Sequence, residues 1–196
     1  MKRLFDIFFS FIGIIILSPV IFVTCIAIKL FDKGPLFYRA PRVGLNGIIF
    51  KMIKFRTMTV DADKTGASST KADDARITKP GAFLRKYKLD EIPQLFNVLF
   101  GTMSIVGPRP QIKWAVDLYT EEEKKILTVR PGITDYASIK FHNEGEILKG
   151  SADPDKAYME LIHPEKMRLS LEYVKNKSIF TDIKIIFLTL SSIFKK

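Results

Sequence analysis

The residues that could do chemistry concentrate around two adjacent carboxylates, Asp90 and Glu91, called the dyad below. They follow the basic residues Arg85, Lys86 and Lys88. Cations keep a neighbouring carboxylate ionised and also attract phosphate, so a carboxylate nucleophile and an anionic substrate could share this site. The residues leave one alternative open, in which Asp90 only caps a helix and Glu91 is a solvated acid in its first turn.

A further cationic group is indicated by Arg109, which Pro108 and Pro110 flank. The two prolines restrict the backbone and thereby aim the guanidinium, the group best shaped to grip a phosphate through two parallel hydrogen bonds. Arg130, followed by Pro131, repeats this pattern. Both arginines are therefore candidates for binding phosphate.

A helix over residues 92–99 is predicted to position the dyad, because its apolar residues recur at spacings of three, four and seven. Gly101 is placed to end this helix. Asp90 stands where an N-cap belongs, and Pro93 lies in the first turn, where its missing donor costs nothing. The dyad is thus expected at a helix N-terminus, which attracts anions.

A small β-element is predicted before this helix. Asn46 and Gly47 separate two short apolar runs, which is a hairpin signal, and the second strand is expected at residues 48–58 with Lys54 and Arg56 on it. The polar residues 61–79 read as a mobile loop beside a cleft. Residues 133–141 are compatible with a further strand.

The N-terminal residues predict attachment to a membrane. Residues 7–28 contain no charge, and as a helix they would be about 33 Å long, enough to reach across a bilayer core. No cleavage site follows, so a removed signal peptide is excluded. A buried core helix is the alternative.

Ser18 and Pro19 favour a re-entrant hairpin over a straight span. Pro19 cannot donate to the carbonyl of Ile15, so a break is expected there, and the Ser18 hydroxyl could satisfy that carbonyl. Basic residues flank both ends of the segment, so the positive-inside bias gives neither end a reason to leave the cytoplasm. The C-terminal run, residues 179–194, is amphipathic and could lie in the membrane interface or pack on the core.

Composition excludes several classes of protein. The chain has 196 residues, a net charge of +10 and 47% hydrophobic residues, which fits one domain with a core rather than a disordered chain. The single cysteine, Cys25, excludes a disulfide scaffold. The charge could suggest a nucleic-acid binder, but the aromatic residues concentrate in the membrane and C-terminal segments instead.

Four motifs together resemble a known family, the bacterial monotopic phosphoglycosyl transferases. They are KFRTM at residues 54–58, LDEIPQLFNV at 89–98, MSIVGPRP at 103–110 and RPGIT at 130–134. The likeness extends from the Ser18-Pro19 segment to the apolar C-terminus and is to the minimal catalytic form. Two positions depart from the usual pattern: Asp135 stands where a glycine is usual, and Ala75 stands where a proline is usual.

The resemblance implies a reaction. Such enzymes move a phosphosugar from a UDP-sugar to undecaprenyl phosphate, release UMP and pass through an aspartyl phosphosugar intermediate with Mg²⁺. By position, Asp90 matches the nucleophile, and the dyad, Glu91 above all, is the expected Mg²⁺ ligand. The candidates for binding the substrate phosphates are Lys54, Arg56, Arg85, Arg109 and Arg130.

The expected architecture is α+β. Residues 1–31 form a re-entrant membrane helix hairpin with its break at Ser18-Pro19, and residues 32–196 form a small mixed helical/β catalytic domain with amphipathic interfacial helices. The location implied is the cytoplasmic face of the bacterial inner membrane, with membrane lipid as a partner, no nucleic acid, and a homodimer left open. The rival function is a non-catalytic basic scaffold on the membrane surface.

Overall fold

The computed structural model describes residues 1–31, 33–64 and 66–194. A long N-terminal helix is followed by a β-hairpin and then by mostly short helices, between which two short strands pair in parallel. The helices are α1 (Lys2–Phe31), α2 (Lys79–Lys86), α3 (Gln94–Phe100), α4 (Lys113–Asp117), α5 (Tyr136–Lys140), α6 (Glu144–Ile147), α7 (Pro154–Leu161), α8 (His163–Asn176) and α9 (Ile179–Phe194). The strands are β1 (Phe37–Val43), β2 (Ile49–Phe55), β3 (Ser104–Val106) and β4 (Gly132–Thr134). The mixed helix and strand content confirms the predicted α+β class.

The hairpin predicted from Asn46 and Gly47 is confirmed. Strands β1 and β2 pair antiparallel, with Val43 opposite Ile49. Asn46 and Gly47 have φ values of 55° and 79°, the left-handed region that asparagine and glycine tolerate best. Strand β2 ends at Phe55 rather than at the predicted residue 58, because the chain leaves β1 there and Met58 bridges to Ile77 instead.

Helix α1 is the one helix in the described part of the chain that is long and apolar enough to cross a membrane. Only 11% of its most apolar stretch is buried, which is the opposite of what a core helix shows. The helix continues through Pro19, and the Ser18 hydroxyl donates to the Ile15 carbonyl at 2.8 Å. The predicted repair of that carbonyl is confirmed, whereas the hairpin turn stays a prediction.

Both ends of α1 contact the rest of the chain. At its start, the Lys2 ammonium lies 2.6 Å from Asp182 on α9, and the buried Asp6 accepts from the hydroxyl of Ser104 at 3.0 Å. Near its end, Ile28 packs with Phe55 and Leu84. The two ends of a helix about 45 Å long are therefore attached to the same folded domain.

The strand suggested for residues 133–141 is wrong beyond Thr134. Strand β4 pairs in parallel with β3 through Ser104 and Gly132, and the chain then enters helix α5. The reason is Asp135, whose buried carboxylate accepts from the Ser138 amide at 2.7 Å and so caps that helix. Its backbone is extended, with φ −159°, so the aspartate fits where the family pattern usually has glycine.

Helix α9 packs on the core through one face, as one of the two roles left open for the C-terminal run, while the interfacial role stays a prediction. Ile185 is fully buried against Val106 and Tyr173, which is core packing. Phe180 and Phe187 on the same helix are 86% and 68% exposed. One face of the helix thus joins the core while another remains available to lipid.

Candidate active site

The dyad lies in a tight 3₁₀ turn between α2 and α3. The turn spans Leu89–Glu91, and Pro93, not Asp90, is the N-cap residue of α3. The predicted capping role of Asp90 is therefore wrong, because the chain winds one extra turn with its own backbone bonds before the helix begins. Asp90 is 6% exposed, and its Oδ1 has no hydrogen-bond partner among the described residues.

Glu91 is held by two cations. The Lys54 ammonium donates to its Oε1 at 3.0 Å, and the Arg109 guanidinium forms a fork with both of its oxygens, Nη1 to Oε2 at 3.0 Å. Burial by itself would raise the pKa of Glu91, but Arg109 and Lys54 outweigh it and hold that pKa well below its usual range. Glu91 is accordingly ionised in its partly buried position.

Asp90 has the opposite electrostatic character. Burial raises the pKa of its carboxyl, and the charge of Lys54 offsets this only in part, while the adjacent Glu91 raises it further. The expectation that nearby cations hold both carboxylates fully ionised thus fits Glu91 better than Asp90. Two adjacent carboxyls with opposed pKa shifts are an arrangement typical of functional sites.

The close approach of two glycines positions Arg109. A Cβ on Gly132 would lie 2.1 Å from the amide nitrogen of Gly107, so the strands meet at a distance that only glycine permits. The backbone then forms bonds from Gly107 to Thr134 at 3.0 Å and from Gly132 to Pro108 at 3.0 Å. The proline-flanked guanidinium is aimed as the sequence predicts, and in this structure it grips Glu91.

Asn97 links the dyad to the strand that carries Lys54. Its Oδ1 accepts from the Ile53 amide at 2.8 Å, and its Nδ2 donates to the Lys51 carbonyl at 2.9 Å. The carboxamide thereby gives hydrogen-bond partners to two backbone groups on the edge of β2 that faces away from β1, as a neighbouring strand would. The sequence analysis missed Asn97, since a buried asparagine in a helix reveals its partners only after folding.

The other predicted phosphate-binding arginines are placed differently. Arg85 Nε donates to the Thr57 hydroxyl at 2.8 Å, and the charge of Asp90 acts on its guanidinium. The buried Arg56 donates to the Pro35 carbonyl at 2.7 Å and lies beside α1. Arg130 is exposed and donates to the Gly101 carbonyl at 2.9 Å, at the end of α3 away from the dyad. The fold thus brings together Lys54, Arg85 and Arg109, but not Arg56 or Arg130.

The polar loop at residues 61–79 is hydrogen-bonded to other parts of the chain, while its mobility stays a prediction. Asp155, on α7, accepts from the backbone amides of Ser68 and Ser69 at 3.1 and 2.7 Å. Arg76 pairs with Asp74 at 2.7 Å and also binds loop carbonyls. Apart from residue 65, which lies outside the described residues, the loop is anchored at several points.

Comparisons with known proteins show which family the chain matches. Residues 1–196 match the family model described as bacterial sugar transferase. The UDP-glucose:undecaprenyl-phosphate glucose-1-phosphate transferase of Klebsiella pneumoniae is 39% identical over 197 residues, covering 96% of this chain and 39% of that protein. The uncharacterized sugar transferase EpsL of Bacillus subtilis (strain 168) is 36% identical over 193 residues, covering 98% of this chain and 87% of EpsL.

A third relative is also longer than this chain. The UDP-N-acetylgalactosamine-undecaprenyl-phosphate N-acetylgalactosaminephosphotransferase of Aeromonas hydrophila is 35% identical over 196 residues, covering 98% of this chain and 43% of that protein. The chain therefore spans less than half the length of the Klebsiella and Aeromonas proteins and most of the length of EpsL.

Proposed function

The chain belongs to the bacterial sugar transferase family, and from that membership we propose that it moves a phosphosugar from a UDP-sugar to undecaprenyl phosphate. The product starts a membrane-bound glycan such as an O-antigen, capsule, exopolysaccharide or glycoprotein glycan, and UMP is released. One observation carries the proposal: Asp90 is buried with an unpartnered oxygen beside a Glu91 that Arg109 and Lys54 neutralise.

The proposed reaction has two displacements. An Asp90 oxygen attacks the β-phosphorus of the UDP-sugar, a new P–O bond forms, and the bond to the bridging oxygen breaks so that UMP leaves with the electron pair. A phosphate oxygen of undecaprenyl phosphate then attacks the same phosphorus and releases the Asp90 carboxylate. A covalent intermediate replaces one transfer between two anions by two easier steps.

The cations near the dyad are suited to the phosphate groups in both steps. Lys54 and Arg109 are fixed by their contacts with Glu91, so they can hold phosphate oxygens without first being ordered. Arg85 is fixed by Thr57 and has no carboxylate oxygen within 4.0 Å in the described chain, which leaves its charge for an anion. Preorganised cations of this kind stabilise developing charge in phosphoryl transfer.

The proposal includes Mg²⁺ held at the dyad. Mg²⁺ usually takes one or two protein carboxylates, with substrate phosphates and water as its other ligands. The unpartnered oxygen of Asp90 and the low pKa of Glu91 fit a cation-binding pair, although an ion at Glu91 would compete with Lys54 and Arg109. When bound, Mg²⁺ would offset the negative charge of the diphosphate.

We further propose that the protein lies at the cytoplasmic face of the bacterial inner membrane, with both ends of α1 on that side. Support comes from the contacts of Lys2 with Asp182 and of Ile28 with Leu84, because the far end of a spanning helix could not reach the same domain. Exposed Phe180 and Phe187 on α9 are available to lipid or, as the sequence left open, to a second copy.

The test is UMP release from a panel of UDP-sugars with undecaprenyl phosphate and Mg²⁺. We expect release by the wild type and near-complete loss in Asp90→Asn, while Asp117→Asn, which removes an exposed carboxylate on α4, retains activity. Label from a β-phosphate-labelled donor should remain on the wild-type protein when no acceptor is present. If the wild type released no UMP from any donor but still bound lipid, the result would favour the non-catalytic scaffold.

A further inference from the structure

Two guanidinium groups near the dyad lack a carboxylate partner. In the part of the chain that the structure describes, no carboxylate oxygen lies within 4.0 Å of the guanidinium of Arg42 or of Arg85. Among the described residues, the partly buried Arg42 side chain donates to the carbonyl of its neighbour Pro41 at 2.8 Å. A cation that is withdrawn from water without an anion is costly, so each of these groups is suited to an anionic ligand.

Arg42 and Arg85 lie on opposite sides of Lys54 along strand β2. Arg42 is paired with Phe50, four residues before Lys54 and so about 13 Å from it along the strand. Arg85 contacts Thr57, three residues beyond Lys54. Because Lys54 contacts Glu91, the dyad meets this part of the chain between the positions at which Arg42 and Arg85 adjoin it.

The surroundings of Arg42 are polar and cationic. The end of β1 is fixed by a bond from the Val43 amide to the Gln111 carbonyl at 2.9 Å, and the Gln111 side chain accepts from the Tyr158 hydroxyl at 3.2 Å. Burial lowers the pKa of Arg42, the phenol groups of Tyr38 and Tyr158 act against this, and the nearby charge of Arg109 lowers the pKa further. Arg42 and Arg109 thus place two positive charges near each other.

Two acids of the site region are engaged with other cations. Glu91 is bound by Arg109 and Lys54, and Glu144 pairs with the buried Lys166 at 2.7 Å. Neither carboxylate is thus available to neutralise Arg42. A bound anion is the partner that this arrangement lacks.

The surroundings of Arg85 are more apolar than those of Arg42. Its neighbour Leu84 packs on Ile28 of α1, and Phe83 and Tyr87 next to it are 57% and 47% exposed. Arg85 therefore lies beside the surface through which α1 would meet lipid, whereas Arg42 lies beside polar groups of α7 and the segment that follows β3.

We propose that Arg42 binds the nucleotide side of a nucleoside diphosphate sugar, through the phosphate that leaves with the nucleoside, while Arg85 binds the phosphate of the membrane-borne acceptor. The inference rests on the proposed function and adds a binding residue and an orientation to it. The transferred phosphorus then lies at Asp90, between the two arginines, and the two anionic substrates reach it from different sides.

The test is titration of the intact protein in lipid nanodiscs with UMP, with Mg²⁺ and without acceptor. We expect Arg42→Gln to weaken UMP binding about 10- to 100-fold, the size of a lost charge-assisted contact, and Arg42→Lys to weaken it less. The matched control is Arg39→Gln, an exposed arginine on the other face of β1, which should bind UMP as the wild type does. Arg85→Gln should also leave UMP binding unchanged and raise the KM for undecaprenyl phosphate.

The outcomes separate this inference from the proposed function. Equal UMP affinity of wild type and Arg42→Gln, with an unchanged thermal midpoint, would overturn it even if the wild type turns over. An equal loss of UMP affinity in Arg85→Gln would overturn the orientation. A loss of UMP affinity that is confined to the Arg42 variants supports the inference. This holds even if the wild type releases no UMP from any donor tested, because that second result counts against the proposed function alone.

Discussion

The carboxamide of Asn97 occupies the outer edge of strand β2, where it accepts a hydrogen bond from the Ile53 amide at 2.8 Å. The same side chain donates to the carbonyl of Lys51 at 2.9 Å. One residue of α3 thus forms two hydrogen bonds with backbone groups on the edge of β2 that faces away from β1. Since Lys54 follows on that strand and Glu91 precedes that helix, Asn97 sets the distance between the two partners of the ion pair.

Replacing Asn97 should therefore weaken both the fold and the site. We expect Asn97→Leu to lower the free energy of unfolding by about 1 to 3 kcal/mol, because two buried backbone groups lose their partners. UMP release should fall as the Lys54–Glu91 contact loosens. Asn143→Ala, an exposed asparagine that makes no side-chain cap, is the control; an equal loss in both variants would refute the role of the β2 edge.

The pair of Arg109 and Glu91 should show strong coupling in a double-mutant cycle. Arg109→Gln leaves the partly buried Glu91 with Lys54 as its remaining cation and should cost about 2 kcal/mol, while adding Glu91→Gln should recover part of that stability. Denaturant unfolding of all four proteins gives the coupling energy. The control is Lys113→Gln, which breaks an exposed pair with Asp117 and should cost less than about 0.5 kcal/mol. If the changes in unfolding free energy at Arg109 and Glu91 were additive, the predicted coupling of this ion pair would be wrong.

The close approach of Gly107 and Gly132 predicts a steric effect. In Gly132→Ala, the new Cβ would lie 2.1 Å from the Gly107 nitrogen, so β3 and β4 must separate and Arg109 must move. We expect a loss of about 3 kcal/mol or more in stability, with loss of UMP release. Gly150→Ala has a positive φ of 74° but open space and should cost only about 1 kcal/mol; similar thermal midpoints for both variants would rule out this effect.

The contacts of both ends of α1 predict that they lie on one side of the membrane. In a Cys25→Ser background, Lys2→Cys and Lys33→Cys should react with a membrane-impermeant maleimide only in inverted vesicles. Lys149→Cys, at an exposed site of the folded domain, reports the side on which that domain lies. Reaction of Lys2→Cys from the opposite side to Lys149→Cys would show a spanning helix and exclude the re-entrant topology.

The sequence by itself determined the features that depend on neighbouring residues. Asn46 and Gly47 predicted the hairpin because few residues tolerate a positive φ there, and Gly101 ended α3 with φ 88° for the same reason. The uncharged residues 7–28 predicted an exposed apolar helix, because hydropathy needs no tertiary information. The motifs located the dyad.

Only the tertiary structure decided which charges meet. Arg109, Arg130 and Arg56 look alike as phosphate-binding candidates, yet only Arg109 reaches Glu91, through the close contact of Gly107 with Gly132. The sequence places Asp90 at a helix N-cap and Asp135 in a strand, yet Asp135 is the residue that caps a helix and Asp90 keeps an unpartnered oxygen. The physical reason is that ion pairing and burial depend on distances between segments far apart in the chain, which local propensity does not encode.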